Sequence, residues 1–267
     1  MKEAAITSPS LSAAQDLKGK TIIVTGAGSG IGRESAIIFS LAGANVIVSD
    51  ITAESAKATV DSIHSRGGIA TFVKADLSVE AEVQLLVSAA VETYGRLDGA
   101  FNNAGIGQVG KPLHELSTQE WQRALLVDLT SVFWCMKYQI LAMMTTGGGA
   151  IVNTASALGQ VAIPHAGEYV AAKHGVIGIT RAAAADYGAK GVRVNCVLPG
   201  IIKTPLIDEL STDPRFASSL EKLLERHPIG RFGNPSEIGE AARWLLSDAA
   251  SFVNGSAIAV DGGYLAV

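Results

Sequence analysis

From Lys20 onward, short β-branched apolar runs alternate with longer stretches whose apolar residues recur at helical spacing. The runs Thr21–Thr25, Asn45–Ser49, Ala70–Lys74, Gly99–Asn102, Ala150–Thr154, Val192–Val197 and Ala257–Val260 are nearly continuous in apolar residues. Strands covered on both faces require that pattern. Between them, 31–42, 53–65, 79–94, 118–144, 168–187 and 235–246 carry the helical period. Repeated strand-then-helix order marks βαβ units. The pattern therefore predicts an α/β fold, a doubly wound and mostly parallel sheet of about seven strands with helices on both faces. Gly43, Gly67, Gly95 and Gly188 each follow a helical stretch and are expected to close it in the left-handed conformation.

No repeat or low-complexity linker interrupts the pattern, so one domain is expected from about residue 17 to 267, after an Ala/Ser-rich, loosely held leader at 1–16. A chain of 267 residues can bury a core without disulfides or metals. Lys plus Arg number 21 against 25 for Asp plus Glu, a net charge of −4. That balance lacks the basic excess on which nucleic-acid or anionic-membrane binding relies. No signal-peptide core and no run of about 18 uncharged apolar residues is present, which predicts a cytoplasmic protein with no membrane partner. Cys135 and Cys196 show no metal or redox spacing and read as reduced core residues. The five histidines, His227 among them, show no ligand spacing, so no metal is expected and surface or hydrogen-bonded roles are favoured.

Chemistry enters at the strand ends. Thr25-Gly26-Ala27-Gly28-Ser29-Gly30-Ile31-Gly32 follows the first strand and opens the first helix. Glycines there permit a sharp turn and close backbone approach, and helix N-terminal amides stabilise a pyrophosphate. A glycine-rich βα turn without a ligand is the plainer alternative. Asp50, followed by Ile51, ends the second strand 18 residues after Gly32. This is near the spacing at which an acid accepts hydrogen bonds from an adenosine ribose and repels a 2′-phosphate. NAD is thus favoured over NADP, with a helix cap as the alternative role for Asp50. Asp76 and Leu77 after the third strand fit an adenine edge contact and wall, with a cap as the more frequent role for an Asp taken alone. Asn103, Ala104 and Gly105 close the fourth strand, where small residues let a cofactor lie against the backbone.

Tyr169 and Lys173 are four residues apart in a helical stretch and so share a face, and Ser156 ends the strand before it. A phenol has a pKa of about 10, and a neighbouring ammonium favours its phenolate. Ser156 can hydrogen-bond a substrate oxygen while Tyr169 exchanges its proton. Such pairs also occur by chance on amphipathic helices, so the trio gains weight only in company.

That company is present. The glycine turn, Asn102-Asn-Ala-Gly105, Ser156, Tyr169-x-x-x-Lys173 and Pro199-Gly200 stand in an order and spacing that resembles the short, single-domain branch of the short-chain dehydrogenase/reductase family over about residues 17–267. The resemblance implies Tyr169 as general acid/base, Ser156 polarising the substrate oxygen, and Lys173 also binding the nicotinamide ribose. It implies that Pro199, Gly200, Ile202 and Thr204 contact the nicotinamide end, that Asp261-Gly262-Gly263 packs between subunits, and that the protein is a homo-oligomer, most often a tetramer. The expected activity is NAD-dependent interconversion of a secondary alcohol and a ketone. The alternative is a catalytically silent dinucleotide-binding protein of the same fold. Enoyl reduction is disfavoured because those relatives space the Tyr and Lys more widely.

One position departs from the family pattern. Where an Asn is usual, the chain reads Leu126-Val127-Asp128-Leu129, and Asp128 is a candidate fourth catalytic member that can add a charge beside Lys173. Substrate selection is expected from a lid at about 204–228, from apolar Ala157, Leu158, Ile163, Pro164 and Leu206, and from the rim candidates Gln108, Gln160, His165 and Glu168. Trp121, Phe133, Trp134 and Tyr138 are expected in the core or a subunit interface.

Overall fold

The computed structural model describes residues 15–205, 207 and 220–267. Its sheet contains β1 (Thr21–Thr25), β2 (Asn45–Asp50), β3 (Ile69–Lys74), β4 (Gly99–Asn102), β5 (Gly149–Thr154), β6 (Val192–Pro199) and β7 (Ala257–Val260). All neighbours pair in parallel, in the order β3-β2-β1-β4-β5-β6-β7. The chain reverses its direction of progress between β1 and β4. That switch leaves a crevice outside the carboxyl ends of the strands, where open α/β sheets take ligands.

Strand periodicity divides the core in two. Ile22 and Val24 of β1 face α1 (Gly30–Leu41) and α8 (Pro235–Leu246), while Ile23 faces α3 (Glu80–Tyr94) and α5 (Ser131–Thr145). Both faces of every central strand are therefore apolar, which explains their unbroken hydrophobic runs. Phe39 of α1 meets Phe101 of β4 edge to face at 6.0 Å, both fully buried. Local signals set several helix starts: Ser117 and Glu120 form a capping box at α4 (Thr118–Leu125), as do Asn234 and Glu237 at α8, where Pro235 occupies the first turn.

The expected fourth helix is not uniform. Between α4 and α5, Leu126–Thr130 widens into a π-helical turn that buries Asp128. The whole run Thr118–Thr145 is long and apolar enough to cross a membrane by composition. Val132, Met136, Ile140 and Met143 nevertheless sit in the core, and the run packs as a core helix. Tyr138 also packs inward and donates to Glu80, whereas Phe133 is half exposed. Cys135 and Cys196 are free and buried, and burial pushes their thiols up to about 12 and about 11.

Gly43, Gly67 and Gly95 adopt the left-handed conformation as expected, but Gly188 does not. Its φ is −56°, because the chain continues from α6 (Gly167–Tyr187) through a short 3-10 turn, and Gly191, at φ 80°, makes the reversal instead. Asp16, placed in the leader, pairs with Arg243 of α8 at 3.3 Å, and residues 1–14 lie outside the described residues.

Candidate active site

A cavity of about 740 Å³ runs along the carboxyl ends of the strands. Gly26, Ser29, Gly30 and Ile31 line one end. Gly26 has φ 63°, and a Cβ there would lie 2.9 Å from the Ala104 backbone. The amides of Asn103 and Ala104 both donate to the Thr25 hydroxyl, at 3.0 and 3.1 Å, fastening the β4 end to the glycine turn. Gly32 does not line the cavity. It is buried where any side chain would strike the Gly26 carbonyl, so its lack of a Cβ allows α1 to pack on the turn. Ser29, at the α1 N-cap, makes no side-chain bond across the first turn, which leaves a helix N-terminus suited to phosphate.

Asp50 and Ile51 line the cavity beside this turn. Asp50 accepts from the Gly28 amide and the Thr52 amide, each at 2.9 Å, so its carboxylate is held in place with lone pairs to spare. Thr52, not Asp50, occupies the N-cap of α2 (Ala53–His64). Asp76 and Leu77 line the next stretch. The hydroxyl and amide of Ser78 both donate to Asp76 Oδ1 and hold its carboxyl below the usual range. Asn103, Ala104 and Gly105 line it as well, as do Pro199, Gly200, Ile202 and Thr204.

Ser156, Tyr169 and Lys173 meet at the same cavity. The Ser156 Oγ accepts from the Leu158 amide at 3.1 Å, so its proton is left to donate. The Lys173 ammonium lies 5.3 Å from the Tyr169 ring centre, donates to the Thr154 carbonyl at 3.2 Å, and sits 3.5 Å from Asp128 Oδ1. Burial works against the Lys173 charge, but Asp128 and Tyr169 more than offset it, and its pKa stands above the usual lysine value. Burial pushes the Asp128 carboxyl up, against the pull of Lys173 and of the Ile106 amide. Asp128 itself does not line the cavity and reaches it through Lys173 and the Ile106 amide.

The substrate-side expectations fare unevenly. Ala157, Leu158, Ile163 and Gln108 line the cavity, whereas Pro164, Gln160 and His165 do not. Glu168, expected on the rim, is completely buried and accepts from the Val109 amide at 2.6 Å. Leu206 and most of the expected lid lie outside the described residues.

Other participants carry no assigned role in the sequence pattern. Arg123, Leu126 and Val127 reach the cavity at i, i+3, i+4 spacing, a periodicity that marks a face without saying what the face meets. Asn102, Gln139, Asn153 and Thr180 form a buried amide and hydroxyl chain tying β4 and β5 to α5 and α6. His227 is buried. Its Nε2 accepts from the Ile201 amide at 3.1 Å, leaving Nδ1 to donate to the Leu223 carbonyl at 2.8 Å, and its ring packs on Tyr264 at 5.2 Å. It thereby joins the cofactor wall to α7 (Leu220–Glu225) and to the C-terminal turn. Among the described residues no cluster of potential metal ligands occurs.

The family model described as enoyl-(acyl carrier protein) reductase matches residues 26–265. The chain is 50% identical over 254 residues to a 2,5-dichloro-2,5-cyclohexadiene-1,4-diol dehydrogenase of Sphingobium indicum, covering 94% of this chain and 99% of the relative. It is 47% identical over 246 residues to a cyclohexanol dehydrogenase of an Acinetobacter species, covering 92% and 94%. Levodione reductase superposes with a TM-score of 0.90 at 34% identity, covering 94% of this chain and 99% of that one. A candidate 2-deoxy-d-gluconate 3-dehydrogenase from Agrobacterium tumefaciens, with NADP bound, superposes at 0.87 and 33% identity, covering 95% and 99%. The chain belongs to the short-chain dehydrogenase/reductase family. Its nucleotide-binding fold implies a pyridine nucleotide cofactor.

Proposed function

We propose that this protein is an NAD-dependent dehydrogenase that interconverts a secondary alcohol and a ketone, with ring alcohols as the substrate class. The observation that carries the reading is the convergence of Ser156, Tyr169 and Lys173 on one cavity that Asp50 also lines. Two relatives at 50% and 47% identity are named for alcohols on six-membered rings, and apolar Leu158, Ile163 and Val127 suit such a ring.

The residues divide the work. The Ser156 hydroxyl donates to the substrate oxygen and orients it. Tyr169, as phenolate, takes the alcohol proton during oxidation and returns it during reduction. The Lys173 ammonium stabilises that phenolate and is itself kept charged by Asp128. Gly26, Ser29, Gly30 and Ile31 would hold the pyrophosphate, Asp50 the adenosine ribose, and Pro199 to Thr204 the nicotinamide end. A nicotinamide dinucleotide bound there supplies the hydride acceptor.

Charge supports NAD rather than NADP. The basic side chains lining the cavity among the described residues are Arg123 and Lys173, from α4 and α6, and neither comes from the segments around Asp50. A 2′-phosphate would meet a carboxylate there without a lining cation from β2 or the glycine turn. A homo-oligomer remains part of the proposal, with half-exposed Phe133 and Leu141 of α5 as apolar surface available to it.

The test is direct. With NAD and a panel including cyclohexanol, the protein should accumulate reduced nicotinamide, and Tyr169→Phe should lose turnover while still binding NAD. Full activity in that variant, or faster reduction of an enoyl thioester than oxidation of any alcohol, would sink the assignment.

A further inference from the structure

The loop after β4 carries Ile106, Gly107 and Gln108 into the cavity, yet among the described residues Gly105 to Gly110 make no backbone–backbone hydrogen bond. Two buried carboxyls hold it instead. Asp128 Oδ1, from the π-helical turn, accepts from the Ile106 amide at 3.0 Å, and Glu168 Oε1, from the first turn of α6, accepts from the Val109 amide at 2.6 Å. The fit is close on the Asp128 side, where a Cβ on Gly105 would lie 2.5 Å from Oδ1. Both acids are fully buried, and each leaves its second oxygen without a hydrogen-bond partner. Burying a carboxyl group with one oxygen unpaired is unfavourable. Such a cost calls for a compensating role.

We propose that Glu168 is a positioning residue for this reaction: its reach to the Val109 amide clamps the Ile106–Gln108 wall in the shape that selects the substrate. This rests on the alcohol dehydrogenase reading for its kinetic part, while the clamp itself is independent of turnover. Glu168 adjoins Tyr169 in sequence, so the clamp references the substrate wall to the same helical turn that carries the general acid/base. Asp128 serves the other end of the loop and Lys173 together, so wall and catalytic lysine share one buried anchor.

The decisive comparison is Glu168→Gln against Glu168→Asp. Glutamine keeps the reach and an acceptor oxygen but drops the charge; aspartate keeps the charge and shortens the reach. Hydrogen exchange of the Val109 amide, NAD binding by titration, and steady-state kinetics with cyclohexanol are measured for both. Glu168→Gln should retain wild-type exchange protection and a KM within about twofold of wild type. Glu168→Asp should exchange Val109 faster and raise the alcohol KM about tenfold, the size of one lost hydrogen bond, with kcat and the NAD Kd within about twofold. The proposal is overturned if Glu168→Asp matches wild type in exchange and KM, if Glu168→Gln is as impaired as Glu168→Asp, or if NAD affinity falls in parallel with the alcohol KM. Should the wild type oxidise no alcohol, the functional reading fails, and the exchange data alone decide the clamp.

Discussion

Replacing Asp50 with alanine should convert the protein from NAD-selective to nearly indifferent between NAD and NADP. The Asp50 carboxylate is half-buried at the cavity wall and fixed by the Gly28 and Thr52 amides. A ribose 2′-phosphate bound beside it adds a charge of about −1.5 to −2. Two unit charges 4 Å apart interact by about 1 kcal/mol in water and about 4 kcal/mol at the effective dielectric of a protein surface. A half-buried site lies toward the lower figure, so about 2 kcal/mol of repulsion is expected, or roughly 30-fold in kcat/KM. Asp50→Ala should therefore raise kcat/KM for NADP about 30-fold. It should also lower kcat/KM for NAD about tenfold, since the ribose loses its acceptor and two loop amides lose theirs. Asp50→Asn, which keeps one acceptor oxygen, should lose less with NAD. Initial rates with each cofactor at saturating alcohol measure both quantities, and the wild-type selectivity should shrink as salt is added. An unchanged NADP/NAD ratio in Asp50→Ala, or a wild type that prefers NADP, would refute the reasoning.

Three further outcomes are expected. Asp128→Asn removes the carboxyl 3.5 Å from Lys173 that supports its buried ammonium, so the Tyr169 phenolate loses part of its stabilisation and the acid limb of the kcat/KM profile for alcohol oxidation should move to higher pH by about 0.5 to 1 unit; a limb that stays put or falls contradicts the charge role. His227→Phe keeps the ring but strands the Ile201 amide and the Leu223 carbonyl, at a cost of about 2–4 kcal/mol, so calorimetry should show Tm lowered by about 5–10 °C and the KM for NAD should rise. Glu237 is held down to about 2 by Arg231 and then by the Asn234 amide, so its stabilising effect is present above its ordinary value of 4.5 and is lost as pH falls toward about 2. Glu237→Gln should flatten the dependence of Tm on pH across that window, and a slope identical to wild type would exclude the linkage.

The strand runs were legible because each central strand is apolar on both faces, a local property that seven separate segments display on their own. The glycine turn, Asp50, Ser156, Tyr169 and Lys173 were legible for a related reason: each stands at a strand end or on one helical face, and spacing alone places it there. Gly26, Ser29, Gly30 and Ile31 of the turn line the cavity with Asp50, Ser156, Tyr169 and Lys173, whereas the contact of Gly32 is with the turn behind it. Glu168 and His227 were not legible. A glutamate beside a catalytic tyrosine reads as rim, and a histidine before a proline reads as surface, until packing shows which backbone amides lie within their reach.

The amino-acid order by itself determined the alternation of elements, the direction of the sheet and the positions of the groups able to do proton and phosphate chemistry, since these depend on periodicities of two and 3.6 residues and on short spacings. Only the tertiary structure decided the rest: that the fourth helix opens at Leu126–Thr130 to bury Asp128 against Lys173, that Glu168 turns away from the cavity to hold Val109, and that His227 joins three segments. These are contacts across 22, 45, 59 and 26 residues of chain. Their energies come from burial and from hydrogen bonds to particular backbone amides, and no local pattern encodes which amide a packed chain will leave unpaired.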